Sequence, residues 1–147
     1  ALLGENNFRK WLSLIALSAM ASDKPPELIN LTVFRGAFCE EVAKLVPGIS
    51  DPSICHTIGM FSLLDAILDR PMQEVVAELS LSDTICDALL NRKPGIFAAP
   101  LYLLRAYEHG NWKVVESLSG RLGIDQNSLP AVFEKALQTV DAFSDPT

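Results

Sequence analysis

Residues 59–68 read GMFSLLDAIL, and the fold turns on how this stretch is read. Ile54, Ile58, Phe61 and Leu68 fall on one stripe through it, which is the period of an amphipathic helix rather than the two-residue alternation of a strand. Asp65 interrupts the stripe. A carboxylate on a buried face is costly unless it is charge-paired or hydrogen-bonded, so this residue needs donors. The run starts at Asp51-Pro52, a side-chain cap followed by a proline suited to the first helical turn, and is expected to continue to Arg70-Pro71.

The same period governs the chain on either side. Almost no window alternates apolar and polar residues, so the expected fold is all-α, a compact bundle of about seven or eight helices without a sheet. Asn6 or Asn7 caps a helix carrying Phe8, Trp11, Leu12, Ile15 and Ala19, and Leu14 and Leu17 make its opposite face apolar, which predicts a central position. Pro25-Pro26 opens a second helix whose stripe of Phe34, Phe38, Val42 and Leu45 stops at Pro47-Gly48. Beyond the quoted stretch, 71–79 reads as a short helix and Ser82 caps another through about Leu90. Asn91 to Gly95 is a loop with the one local basic cluster, read as a solvated turn. A helix over 97–109 is stopped by Gly110; Asn111 caps the next through Ser119, and Asp125 or Ser128 starts a last helix reaching Phe143.

Composition bounds the function. The chain has 147 residues, 49% apolar and 20% charged, which suits one globular domain over 1–147 with its own core. Net charge −6 and only 12 Lys and Arg, spread along the chain, argue against a nucleic-acid partner. The longest apolar run, Trp11 to Ala21, is broken by Ser13 and Ser18 and is shorter than the ~20 residues of a membrane span, so no membrane partner is expected. Cys39, Cys55 and Cys86 are odd in number and lack CxxC spacing; reduced buried thiols, and hence a cytoplasmic location, are expected. Without an initiator Met, the chain reads as a piece of a longer protein.

Strong chemical motifs are absent: there is no glycine-rich phosphate loop, HExxH, GxSxG or EF-hand loop, and no cofactor is expected. His56 and His109 have no adjacent Asp and read as surface or helix-end residues. Asp65 and Asp69 share a helix face at i, i+4 but read as no metal site; Glu74/Glu78 and Asp83/Asp87 have the same spacing and read as wet faces. In YEHGNW (107–112), a helix stop at Gly110, a cap at Asn111 and a packing anchor at Trp112 suffice.

Four segments together, LLGENNFRKWLSL, FRGAFCEEVAKLV, GMFSLLDAILDRPMQEVVAELSLSDTI and LLRAYEHGNW, resemble the HDOD domain, the HD-related output domain of bacterial signalling proteins. The resemblance is strongest over 2–112, with a helical extension over 113–147. It is closest to the form that follows an EAL domain in cyclic di-GMP phosphodiesterases, and Ala1-Leu2-Leu3-Gly4 resembles a point inside the usual module, which implies a truncated front. In metal-dependent HD phosphohydrolases a segment like GLLHDIG supplies adjacent His and Asp ligands. Laid over Gly59 to Asp65, it puts Ser62 and Leu63 on the ligand positions, a weak donor and no donor, so no metal and no catalytic residue are implied.

The resemblance also places Arg35 near a vestigial site where an earlier histidine would stand, and Ala37 replaces a second arginine that relatives often carry. Two readings of Asp65 follow: an ion pair with Arg35, or bonds only to backbone amides or hydroxyls such as Ser62. The implied function is a non-catalytic regulatory module whose partner is another protein or an attached EAL domain, with self-association possible where the truncated front leaves apolar faces uncovered. The alternatives are a degenerate HD phosphohydrolase using Asp65 and His56, and a small-ligand sensor in the vestigial pocket.

Overall fold

The computed structural model describes residues 23–92 and 95–144. The helix expected from Asn6 or Asn7 and the Lys93-Pro94 part of the basic loop lie outside the described residues. Among the described residues every regular element is a helix, as the periodicity requires.

The centre of the bundle is α1, Pro26–Leu45, which begins at the expected proline pair and carries Glu27 in its first turn and Lys44 in its last, both favourable to the helix dipole. It is apolar nearly all round: Phe38, Cys39, Val42 and Ala43 are fully buried and Val33, Phe34 and Ala37 nearly so, the pattern of a helix enclosed by others. On one side lies α2, Pro52–Phe61, capped by Asp51, whose carboxylate accepts the Ser53 amide. Where the two cross there is no room for a side chain at Gly36 or Gly59. A Cβ on Gly59 would sit 2.4 Å from the Arg35 carbonyl oxygen, and one on Gly36 would sit 2.6 Å from Met60 Cγ.

The helix expected to run unbroken to Arg70 is two helices. α2 stops at Phe61, Ser62 and Leu63 form a turn, and α3, Leu64–Leu68, begins anew. The cause is local: the Ser62 hydroxyl donates to the Gly59 carbonyl at 2.7 Å, the kind of back-bond by which serine competes with the helical ladder. The turn re-phases the stripe, so Leu64 and Ile67 point inward and Asp65 outward. Asp69 ends α3 in the left-handed region (φ 53) and pairs with Lys24, rather than being merely solvated beside Arg70.

Two short helices follow, α4 (Met72–Glu78) and α5 (Asp83–Leu89), the latter capped by Ser82 as expected. A 3-10 turn over Ile96–Ala98 leads into α6, Ala99–Glu108, whose Leu101, Leu103 and Leu104 are fully buried. Gly110 turns the chain at φ 67, and Asn111 caps α7, Trp112–Leu122, which runs a turn beyond the expected end at Ser119 to Gly123 at φ 76. Asp125 caps a 3-10 turn, Gln126–Ser128, and α8 occupies Leu129–Ser144. It lies antiparallel to α1: Lys135 reaches Glu41 at 3.0 Å near one end, and Ser144 bonds Asn30 at 3.1 Å at the other. Between these ties Phe133 packs on Phe34 (centroids 4.8 Å apart, 63°), Phe38 and Tyr107, an aromatic cluster that adds to the area it buries.

The crossing makes a test with opposite signs. Alanine gains about 0.5–1 kcal/mol over glycine in a helix interior, but inserting a methyl against fixed backbone costs about 1–3 kcal/mol or more. Gly59→Ala therefore lowers stability, whereas Gly120→Ala in α7, with nothing within 4 Å of the new methyl, raises it; urea denaturation of the two variants is the measurement.

Candidate functional site

The crossing of α1 and α2 sets the site. Because Gly59 lies against the Arg35 carbonyl, the Arg35 side chain leaves α1 directly beside the end of α2. Its Nη1 donates to the Ser62 hydroxyl at 3.2 Å, and its Nη2 lies 3.4 Å from Glu108 Oε1 at the end of α6. The Arg35 side chain is only 14% exposed and that of Glu108 27%. Ser62, at 6%, is buried. A planar guanidinium with forked donors can bridge two such acceptors from fixed directions, which an ammonium cannot do as well. The Arg35 Nε is buried with no hydrogen-bond partner, so the group is only partly satisfied.

The ion pair between Arg35 and Asp65 does not form. Asp65 is exposed, its carboxylate accepts its neighbour's amide, that of Ala66, at 2.9 Å, and the guanidinium is held by Ser62 and Glu108 instead. The break after Phe61 is the physical reason, since it turns Asp65 away from α1 and places it in the first turn of α3, where a carboxylate suits the helix dipole. The expectation that Asp65 is buried fails with it. Leu63 is half-buried in the turn and, having no donor atom, can hold no ligand.

The other candidates are scattered. The ring of His56 lies in α2 facing α1, 3.1 Å from where a Cβ on Gly36 would stand, and is half-buried rather than on the surface. His109 ends α6, exposed, with Nδ1 2.6 Å from the Arg105 carbonyl. Glu74 and Glu78 are exposed and both reach Arg70, and Asp87 meets Arg92 at 3.3 Å. Trp112 is 59% exposed, touching Tyr107 edge-on at 5.3 Å, so it anchors little of the core. Sequence reasoning missed Glu108, whose signal was its place two residues before Gly110 at the end of a buried helix.

Cys39 and Cys55 are fully buried and Cys86 is half-buried; all three are free thiols. Burial pushes the Cys55 thiol up to about 12, with Asp51 and Glu40 adding to it, and raises Cys39 further still. Neither is a nucleophile at neutral pH.

The donor set does not fit a divalent metal. Ser62 offers a neutral hydroxyl, Leu63 an aliphatic side chain and Arg35 a guanidinium, and a permanent cation repels a second one. Among the described residues no three His, Cys, Asp or Glu side chains stand close enough to share an ion, and no helix is long and apolar enough to cross a membrane.

Over 123 residues, 84% of its length, the chain is 36% identical to CdgJ of Vibrio cholerae serotype O1, a cyclic di-GMP phosphodiesterase. This chain resembles part of a cyclic di-GMP phosphodiesterase. It is also 32% identical over 124 residues to YuxH, an uncharacterized protein of Bacillus subtilis. It spans 28% of the length of CdgJ and 30% of that of YuxH, so less than a third of either relative has a counterpart here. No family model matches the chain, and no solved structure does.

Two measurements follow. Asp65→Ala shifts stability by no more than about 0.5 kcal/mol, as surface changes do, while Arg35→Ala costs about 1–3 kcal/mol because Glu108 and Ser62 lose a partner in a partly buried place; denaturant titration of both checks the assignment. The thiols predict an alkaline signature. Their folded pKa lies above the unfolded value near 9.0, so the native state keeps protons that the unfolded chain releases. Stability is therefore fully present below pH 9 and falls as pH rises toward 12. Thermal melts across that range show a shallower fall for the Cys39→Ala/Cys55→Ala variant.

Proposed function

We propose that this chain is a catalytically silent helical module of a bacterial signalling protein, and that it acts on cyclic di-GMP turnover by contact with another protein or with an attached EAL phosphodiesterase domain. One observation supports the reading: the Arg35 guanidinium is held by Ser62 and Glu108, and Ser62 is a position that the HD resemblance aligns with a metal ligand. The likeness to CdgJ over 84% of this chain supports the link to cyclic di-GMP. A metal-dependent enzyme needs several ligands converging on one ion, and among the described residues no three His, Cys, Asp or Glu side chains do so.

A module without chemistry of its own changes a neighbour's activity only if it contacts the active and inactive arrangements of that neighbour with different free energies. Couplings of about 1–3 kcal/mol are typical, which correspond to about 5- to 150-fold in the population of the competent state. The test joins this chain to the C-terminal end of an EAL phosphodiesterase domain and measures cyclic di-GMP hydrolysis with and without it, at matched concentration and oligomeric state. The expected outcome is a change within that range, with no hydrolysis by the chain alone in Mg²⁺ or Mn²⁺. Equal rates with and without the chain, or turnover by the chain itself, overturn the proposal.

A further inference from the structure

Between α1 and α8 lies a cleft of about 340 Å³. Its floor is Leu31 and Phe34 from α1 and Phe133, Leu137 and Val140 from α8. Along α8 these positions run i, i+4, i+7, one face of a helix, and Leu137 is 46% exposed although the same face buries Phe133 against α1. The cleft is therefore an apolar furrow between two antiparallel helices, and side chains of a third helix can pack into such a groove.

Charge selects the occupant. The lining residues that carry charge are Glu27 and Glu108, with no Lys or Arg among them. Among the described residues Glu27 has no hydrogen-bond or ion-pair partner, and Glu108 meets only Arg35, through Oε1 in a long contact. Glu27 stands in the first turn of α1, and Glu108 meets α1 at Arg35 beside Phe34, so the points of α1 that the two acids flank lie about 10 Å apart along its axis at 1.5 Å per residue from Glu27 to Phe34. Seven residues is two helical turns. A helix lying in the furrow meets both carboxylates if it carries cations seven positions apart, with aliphatic residues three and four positions on from the first to fill the floor between them.

We propose that the α1–α8 furrow docks an amphipathic helix of a partner protein, recognised by an apolar stripe and two Lys or Arg residues at i and i+7. The proposal rests on the interaction-module reading above and gives that module its contact surface. It also links that surface to the polar site. The carboxylate that meets one of the incoming cations is the one that holds Arg35, and a cation at Glu108 competes with the guanidinium, whose other bond goes to Ser62 at the break between α2 and α3.

The test uses a labelled synthetic 18-residue helix with Lys at i and i+7 and Leu at i+3 and i+4, titrated into the intact chain and followed by fluorescence anisotropy. A control peptide of the same composition has its two Lys on the opposite face. Saturable binding to the first peptide is expected, at least about tenfold tighter than to the control. It weakens by a similar factor in Leu137→Lys and in Glu27→Lys, two surface changes whose retained fold is checked by their melting curves, and it weakens as salt rises. No saturation below about 1 mM, equal affinity for both peptides, or binding unchanged in both variants overturns the proposal. Sedimentation equilibrium of the chain alone covers the other occupant: dimerisation abolished by Leu137→Lys would assign the furrow to a second copy and overturn it too. The proposed function fails separately, on the turnover measurements. An altered hydrolysis rate that Leu137→Lys leaves untouched would keep the module and discard the furrow.

Discussion

Everything in this bundle is arranged around the crossing of α1 and α2, where Gly59 lies against the Arg35 backbone and Gly36 against the side chains of Met60 and His56. Helices usually meet through side chains at 8–10 Å between axes, but here a methyl on either glycine would collide with the opposite helix. The close approach has two effects. It seals the centre of α1, where Phe38, Cys39, Val42 and Ala43 lose all contact with solvent, and it fixes where the Arg35 side chain emerges. Had α2 stood a side chain's width farther off, the guanidinium would not reach the Ser62 hydroxyl.

The polar site follows from that geometry together with the serine at the end of α2. Ser62 donates to the Gly59 carbonyl and accepts from Arg35, so one hydroxyl both breaks the helix and holds the cation. This economy suits a buried place, where each polar group needs partners and few are at hand. The guanidinium gains little net stability in this arrangement, since its Nε is left unpaired and burying charge costs about as much as pairing returns. Its significance is positional: it connects the ends of α2 and α6 through α1, and removing any one partner exposes the imbalance to the others.

Much of the fold was legible from the sequence because the signals that end helices act locally. Pro25-Pro26, Asp51-Pro52, Ser82, Gly110 and Asn111 each did what their own chemistry dictates. The break at Ser62 was not legible, since serine within an apolar period looks like a tolerated polar residue, and whether its hydroxyl takes the carbonyl three residues back depends on what else offers it a bond. The misplacement of Asp65 descends from that one oversight, a re-phasing that turns a residue expected inside to the outside. Glu108 was invisible for another reason: its partner lies 73 positions away, and a single sequence says nothing about which charges meet across such a distance.

The aromatic cluster around Phe133 has a consequence for how the molecule comes into being. Its partners Phe34 and Phe38 belong to α1, roughly a hundred residues earlier. At synthesis rates of about 5–20 residues per second, α1 waits about 5–20 s between leaving the ribosome and receiving α8. During that interval the helix destined to be the most enclosed has an open aromatic face, and closing so long a loop makes the final docking a slow step by comparison with helix formation itself. Within this bundle the innermost element is thus made well before its cover, and the nascent chain is most prone to association through α1 while α8 is still being translated.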